Sequence, residues 1–194
     1  MFEIYDNKKE SYKIKDIYIK DFSKQNFCVF DLEGTGLNHS QDDDIIQFGA
    51  VRIENRKIKS DCLDIYVRPQ KPIPQNIEKI TGISNEKVKN AISFSEAYEK
   101  FINFSAECIL IAQCGYEYDF GIINSSCERN NIKLIKTTEL DTKILFAYLH
   151  PELNNTFSTD FLVNFYSVDV SGLMRHTAKD ATIININGIK QLRG

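Results

Sequence analysis

Two acidic residues separated by one position, Asp31 and Glu33, follow the apolar run Phe27–Phe30. A short apolar run of this kind predicts a buried strand, and side chains at positions i and i+2 of a strand point to the same face. Two neighbouring carboxylates repel each other unless a cation lies between them. Their oxygens suit Mg²⁺ or Mn²⁺ and not zinc. An isolated Asp-x-Glu pair is more often an ordinary solvated strand end, so its interpretation depends on the residues around it.

Two further segments supply residues of matching chemistry. The pair is followed by Gly34-Thr35-Gly36-Leu37, whose two glycines let the backbone approach a ligand closely. Asp119 follows a second predicted strand, and His176 and Asp180 are four positions apart, hence on one helical face. Four acids and one histidine are the set that two-metal phosphodiester hydrolysis requires. Two cations about 4 Å apart would stabilise the attacking and leaving oxygens, and a neutral histidine would accept a proton from water.

The elements that must position these residues alternate in type. Three predicted strands, Phe27–Phe30, Ile45–Ile53 and Cys62–Val67, are joined closely enough to predict an antiparallel meander. Beyond Pro74 the pattern alternates between helix and strand, which predicts a mixed sheet with helices on its faces. The predicted helices contain Ile77–Ile80 (ended by Gly82), Phe94–Ser105 (with a Ser93–Glu96 capping box), Phe120–Cys127, Ile144–Tyr148 (capped by Asp141) and Phe161–Phe165; the later strands are Cys108–Ala112 and one beginning at Ile135.

Composition bounds the class of protein. A chain of 194 residues with 42% hydrophobic and 26% charged residues suits one α/β domain and argues against disorder, collagen and coiled coil. The net charge of −3 excludes a general basic coat for binding nucleic acid. The five cysteines predict reduced, buried thiols. Charged residues where a signal peptide needs apolar ones, and the absence of an 18-residue apolar run, predict a cytoplasmic protein without membrane contact.

In order and spacing, these motifs resemble the 3'-5' exonucleases of the DEDD superfamily, His branch, which include DNA polymerase III ε-like subunits, ribonuclease T and oligoribonuclease. The resemblance covers about residues 26–192, which leaves residues 1–24 as an N-terminal extension of uncertain form and residues 25–194 as the exonuclease domain. The matching segments are Phe30–Leu37, Ile111–Phe120 with Asp119, His176–Ala181, and the connecting pieces Tyr66–Pro69, Lys71–Pro74 and Ile80–Ile83.

The resemblance implies a ribonuclease H-like fold, a mixed five-stranded sheet with helices on both faces. It also implies metal-dependent release of 5'-mononucleotides from the 3' end of DNA or RNA, and the narrow glycine loop and lack of a basic stripe favour single strands. A DNA polymerase partner is left open. The implied roles are two Mg²⁺ or Mn²⁺ ions held by Asp31, Glu33, Asp119 and Asp180, water activation by His176, and binding of the terminal nucleotide by Thr35, Gly36 and Leu37.

The chain departs from the family pattern at two places. Gln113-Cys114-Gly115-Tyr116 stands where family members often have His-Asn-Ala, and three residues separate His176 from Asp180 where four are usual. By resemblance the final segment forms a helix that carries Asp180, although the β-branched composition of residues 182–188 favours a strand. Two other functions stay open: a binding module that keeps the fold without the chemistry, and an endonuclease on the same sheet.

Several other residues have simpler interpretations. We expect Asp42–Asp44 to form a solvated acidic loop and Asp141 to cap a helix, neither acting as a cation ligand. Tyr116 and Tyr118 either pack around the second motif or stack on a base. No base pairs with Cys114, which excludes it as a nucleophile, and we expect His39 and His150 to be surface residues.

Overall fold

A five-stranded mixed sheet is the centre of the molecule. The structure is a computed structural model and describes residues 2–5, 11–14, 20–37, 42–153, 157–167 and 169. In chain order its strands are β1 (Phe2–Tyr5), β2 (Ser11–Ile14), β3 (Asn26–Gly34), β4 (Ile45–Glu54), β5 (Lys57–Tyr66), β6 (Cys108–Ala112) and β7 (Glu139–Asp141). The sheet order is β5-β4-β3-β6-β7, and β1 and β2 form a separate antiparallel pair. The predicted ribonuclease H-like sheet is confirmed.

Strands β3, β4 and β5 form the predicted antiparallel meander. A two-residue turn joins β4 to β5, and its residues Asn55 and Arg56 both have positive φ, 49° and 65°. That backbone matches the right-handed twist of a hairpin. Strand β5 begins at Lys57, five positions before the predicted start. Strand β5 therefore pairs with β4 directly after the turn. Its first half was not predicted because the residues of this edge strand are mostly polar and exposed.

Helices cover both faces of the sheet, as predicted. They are α1 (Gln75–Thr81), α2 (Asn85–Val88), α3 (Phe94–Phe104), α4 (Asp119–Arg129), α5 (Thr142–Leu149) and α6 (Thr159–Phe165). The capping box of Ser93 and Glu96 begins α3, and Gly82, at φ 68°, ends α1. Among the described residues, no helix combines the length and apolar character that crossing a membrane would require.

The alternation of side chains along β3 divides the core into two apolar clusters. Phe30 and Leu32 pack toward α3 and α4, whereas Phe27 and Val29 face the opposite side, where Leu145 of α5 packs against them. Asp31 and Glu33 are two and four positions beyond Val29, and they therefore lie on the same face of the strand as Phe27 and Val29. The strand thus presents apolar residues first and carboxylates at its end.

Two expectations about the fold are wrong in detail. Ile135 does not begin the fifth strand: it is 47% exposed and its N–H donates to the Tyr98 hydroxyl, and the strand is Glu139–Asp141. Cys62 is exposed, because it lies on the edge strand outside both apolar clusters. Of the N-terminal extension the structure describes residues 2–5, 11–14 and 20–24, and the segment 182–188 lies outside the described residues.

Candidate functional site

The carboxyl end of β3 extends beyond one of its two neighbours. Strand β4 pairs with β3 as far as Gly34, opposing Asp31 to Gly49 and Glu33 to Gln47. Pairing with the parallel strand β6 ends at Val29. The backbone beside Asp31 and Glu33 is consequently unpaired by β6, and this leaves room for a side chain from another element.

Asp119 occupies that room. The backbone N–H of Leu32, between the two acids of β3, donates a hydrogen bond of 3.0 Å to Asp119 Oδ1. Asp119 is 3% exposed and is the first residue of α4, where the helix dipole favours a negative charge. The structure therefore brings together three of the four acids that the sequence selects.

The three carboxyl groups share a poorly solvated site. Burial, with the neighbouring carboxylates of Asp119 and Glu33, raises the pKa of Asp31 well above its usual range. Burial raises the pKa of Glu33 to about 7. Burial also raises the pKa of Asp119, against the hydrogen bond from Leu32. Holding all three ionised therefore costs free energy in the absence of a cation.

The donor set suits a divalent cation and is incomplete by itself. Its oxygens are those that Mg²⁺ and Mn²⁺ prefer. Within residues 20–37, 42–153 and 157–167, no three carboxyl, thiol or imidazole side chains are arranged to hold an ion unaided. A metal at Asp31, Glu33 and Asp119 would therefore need a ligand from elsewhere in the chain. Asp180, predicted as the fourth ligand, and His176, predicted as the general base, lie outside the described residues.

The loop after β3 packs against the second motif. Tyr118 Oη donates to the carbonyl oxygen of Gly36 at 2.9 Å. A Cβ atom at Gly34 would collide with that hydroxyl, and one at Gly36 would collide with the Asp43 carboxylate, so a larger residue at either position would force these side chains to move. Leu37 is 60% exposed beside this packed backbone.

A second contact fixes the same loop from the other side. Thr35 and Asp44 exchange two hydrogen bonds, each 2.9 Å, one from the Thr35 N–H to the Asp44 carbonyl and one from the Asp44 N–H to Thr35 Oγ1. The carboxylate of Asp44 accepts N–H groups from Gln70 and Lys71 and pairs with Arg129. The expectation of a solvated acidic loop is therefore wrong for Asp44, whose charge is used inside the structure.

The segment 113–118, which delivers Asp119, is attached to the junction of β7 and α5. Asp141 caps α5 as predicted and also accepts the N–H groups of Cys114 (3.2 Å) and Tyr116 (3.3 Å). Burial raises the pKa of Asp141 to about 6 although these N–H groups lower it. Thr142 Oγ1 donates to Gln113, and Lys143 Nζ donates to Glu117. Three consecutive residues thus hold one loop.

The contacts of the tyrosines, of Cys114 and of His150 answer the remaining expectations from the sequence. Tyr118 is engaged with Gly36, and Tyr116, 53% exposed, packs on Phe120, so packing describes both tyrosines. Burial raises the pKa of the Cys114 thiol, which disfavours a nucleophilic thiolate. His150 is partly buried against the Phe146 ring, not fully on the surface, because an aromatic cluster surrounds it. His39 lies outside the described residues.

Comparison with known proteins assigns the class. The family described as Exonuclease (RNase T) matches residues 28–186, and the chain belongs to this exonuclease family. The predicted resemblance to the DEDD-type 3'-5' exonucleases, which are hydrolases, is therefore confirmed. Exonucleases of this family use divalent metal ions.

Two groups of relatives are DNA polymerase III proteins. The chain is 37% identical over 142 residues, 73% of its length, to a PolC-type DNA polymerase III of Caldanaerobacter subterraneus, of which it covers 10%. It is 30% identical over 161 residues, 80% of its length, to DNA polymerase III subunit epsilon of Rickettsia prowazekii, of which it covers 69%. The chain therefore spans about a tenth of the PolC-type relative and most of the epsilon subunit.

Solved structures share the fold at lower identity. Cell-death related nuclease 4 (CRN-4) superposes with a TM-score of 0.75 at 19% identity, covering 87% of this chain and 64% of that one. The nuclease domain of 3'hExo, a DEDDh family member bound to rAMP, superposes with a TM-score of 0.73 at 18% identity, covering 88% and 94%.

Sequence reasoning missed two residues of this region. Lys143 directly precedes the apolar run Ile144–Ala147, and its side chain is fully buried. A single lysine at the start of an apolar helix was the available signal. Gln113 is buried and bonds to Phe157 O at 3.0 Å, a contact 44 positions away that no local pattern indicates.

Proposed function

We propose that the chain is a metal-dependent 3'-5' exonuclease that releases 5'-mononucleotides from the 3' end of single-stranded DNA or RNA. The observation that carries this proposal is the meeting of Asp31, Glu33 and Asp119 at the end of β3 in a chain of the exonuclease family. The domain responsible is residues 25–194, with residues 1–24 as an extension.

The acids have one role in this proposal. Asp31, Glu33 and Asp119, with Asp180, hold two divalent cations, Mg²⁺ or Mn²⁺. When bound, the cations would stabilise the attacking and leaving oxygens of the phosphodiester. They would also supply positive charge where the scissile phosphate lies, which a chain of net charge −3 otherwise lacks.

The loop after β3 has a second role. Thr35, Gly36 and Leu37 bind the terminal nucleotide, with loop backbone near the 3'-hydroxyl and exposed Leu37 against the base. The contacts of Tyr118 and Asp44 support this role, because they hold the loop next to the carboxylates without using its outer surface. A loop that binds one terminal nucleotide favours single strands over blunt duplex.

His176 is the proposed general base. A neutral imidazole accepts a proton from water, so the rate should rise with pH through the histidine pKa. His176→Ala should lose about 10²–10⁴-fold in turnover while binding Mn²⁺ with nearly unchanged affinity. A variant within about threefold of the parent rate would show that His176 is not the base.

The decisive assay uses purified protein on strands labelled at the 5' end. DNA and RNA single strands, the matching blunt duplex and a strand with a blocked 3' end are incubated with Mg²⁺ or Mn²⁺. We expect a stepwise ladder from the free 3' end, suppressed by chelator, by higher salt and by the blocked end. Cleavage of the blocked strand would favour an endonuclease, and metal-independent binding without cleavage would favour a non-catalytic module.

We further propose that the chain acts beside a DNA polymerase. Its similarity to a polymerase III epsilon subunit covers 80% of the chain, which supports this partner. Size-exclusion chromatography with a DNA polymerase III catalytic subunit should give a stable complex. Elution of the two proteins at their separate positions at micromolar concentration would contradict the proposal.

A further inference from the structure

Lys143 is a charged residue whose side chain is buried in the protein interior. Its side chain is 0% exposed in the first turn of α5, and its partner Glu117 is 18% exposed. Lysine is almost never fully buried unless it is paired, because removing its charge from water costs several kcal/mol. Replacing a buried ion pair by apolar residues is often neutral or stabilising, so stability alone gives no account of this pair.

The partner of Lys143 lies at a sensitive point of the chain. Glu117 is two residues before Asp119 and directly follows Gln113–Tyr116, where the chain departs from the family's usual His-Asn-Ala. Cys114, in the segment 113–118 that also contains Glu117, has φ 57°, a left-handed conformation that is unfavourable for a non-glycine residue. The segment must therefore be held by contacts from outside itself.

Those contacts come from the residues beside Lys143. Asp141 accepts the N–H groups at the start of the segment, and Lys143 binds Glu117 at its end. Between these attachments the chain turns by local bonds, such as Glu117 N–H to Cys114 O at 2.9 Å. Among the contacts that the β7–α5 junction makes with this segment, the ion pair is the nearest in sequence to Asp119.

The need for such an attachment follows from repulsion. Asp119 is 3% exposed and bonds to the Leu32 N–H between Asp31 and Glu33, and carboxylates held this close together repel one another. A loop with freedom to relax would move Asp119 away from the other acids. A fixed Glu117 prevents this, because only one residue separates it from Asp119.

We propose that Lys143 and Glu117 form a positioning pair that holds Asp119 beside Asp31 and Glu33 and thereby sets the metal affinity of the site. The inference deepens the proposed function and rests on it. Lys143 acts through Glu117 and touches none of the three acids in this role.

The test measures Mn²⁺ affinity by calorimetry, together with metal-free thermal unfolding and kcat and KM on a labelled single strand. In Lys143→Met the affinity should fall about 10–100-fold, the size typical when a residue that supports a metal ligand is removed. The loss should appear in kcat with KM within twofold. The double variant Lys143→Met/Glu117→Leu should regain thermal stability but not Mn²⁺ affinity.

A matched control is the ion pair of Arg52 and Glu54, joined at 2.6 Å near the opposite end of the sheet. Arg52→Met should keep Mn²⁺ affinity within twofold of the parent. If Lys143→Met does not fold, Glu117→Gln, which removes the charge and keeps an acceptor oxygen, should still weaken Mn²⁺ binding by at least about threefold.

Each other outcome counts against the inference. Mn²⁺ affinity within twofold of the parent in Lys143→Met, or in Glu117→Gln, would overturn it and leave the proposed function intact. Recovery of both stability and affinity in the double variant would show a purely structural pair. A parent chain that binds no Mn²⁺ would overturn this inference and the proposed function together.

Discussion

Asp31 and Glu33 are positioned by a strand, whereas Asp119 is positioned by a loop. The strand β3 is bonded to β4 along its whole length and to β6 over its first half, so the main chain alone determines where its carboxylates lie. The loop before Asp119 is held by side chains of Asp141, Thr142 and Lys143.

The difference shows how two acids of one site can tolerate change differently. A main-chain ladder survives most side-chain substitutions, because every residue except proline can supply its bonds. A loop held by side chains depends on particular residues more than twenty positions away. We therefore expect the second motif to be the more easily damaged half of the site.

The largest effect is expected when a carboxylate is removed, either from the strand at Asp31 or from the second motif at Asp119. Asp31→Ala and Asp119→Ala should each lower the cleavage rate at least about 10³-fold, because a lost metal ion removes several kcal/mol of transition-state stabilisation. Initial rates on a labelled single strand measure this. Exposed Asp61 on β5 provides the control, and Asp61→Ala should match the parent. A tenfold effect or less in Asp119→Ala would exclude it as a metal ligand.

A smaller effect should separate the loop from the strand. Asp141→Ala removes the cap of α5 and the acceptor for two loop N–H groups, and we expect it to cost about 2–3 kcal/mol of unfolding free energy. Amide exchange should accelerate at Cys114 and Tyr116 and stay slow along β3. Asp141→Asn, which keeps one acceptor oxygen, should have a milder effect. Equal acceleration in β3 would contradict the separation.

A tyrosine hydroxyl links the second motif to the loop after β3, and its removal should have a modest effect. Tyr118→Phe deletes the bond to Gly36, and the loss of one hydrogen bond, about 0.5–1.5 kcal/mol, should raise KM about threefold to tenfold with kcat nearly unchanged. Tyr116→Phe, which deletes a 3.3 Å bond to Glu139 O on an exposed side chain, is the matched control. Equal effects in both variants would show that the loop does not depend on Tyr118.

The smallest expected effect concerns charge at the end of β3. The pKa of Glu33 rises from 4.5 to about 7 in the folded chain. Glu33 therefore keeps its proton to a higher pH in the folded state than in the unfolded state. Without metal, the free energy of unfolding should fall as the pH rises from 4.5 to about 7 and then level off. Glu33→Gln should be more stable than the parent by a few degrees at pH 8 and equal at pH 4. Thermal unfolding with and without Mg²⁺ checks this, and the Mg²⁺ gain of the parent should be larger at pH 8 than at pH 5. A parallel pH response in Glu33→Gln would contradict the assignment.

Sequence patterns predicted what local chemistry determines. The central strand with Asp31 and Glu33, the capping box at Ser93 and the cap at Asp141 all follow from periodicity or from a single side-chain bond. The order of the motifs predicted the fold and the family.

The residues whose surroundings were not predicted correctly share one physical cause. Ile135 has an apolar side chain but faces solvent, Asp44 and Lys143 are charged but buried, and each depends on a partner distant in sequence. Burial of a charge is decided by tertiary contacts, which spacing along the chain does not encode.

The central claim is that Asp31, Glu33 and Asp119, with Asp180, hold two divalent cations. Calorimetric titration of the purified chain with Mn²⁺ tests it most directly, by counting bound ions in the parent and in Asp31→Ala and Asp119→Ala. We predict two ions per chain in the parent and fewer than two in either variant. Absence of binding in the parent, or two ions still bound at unchanged affinity in both variants, would contradict the claim.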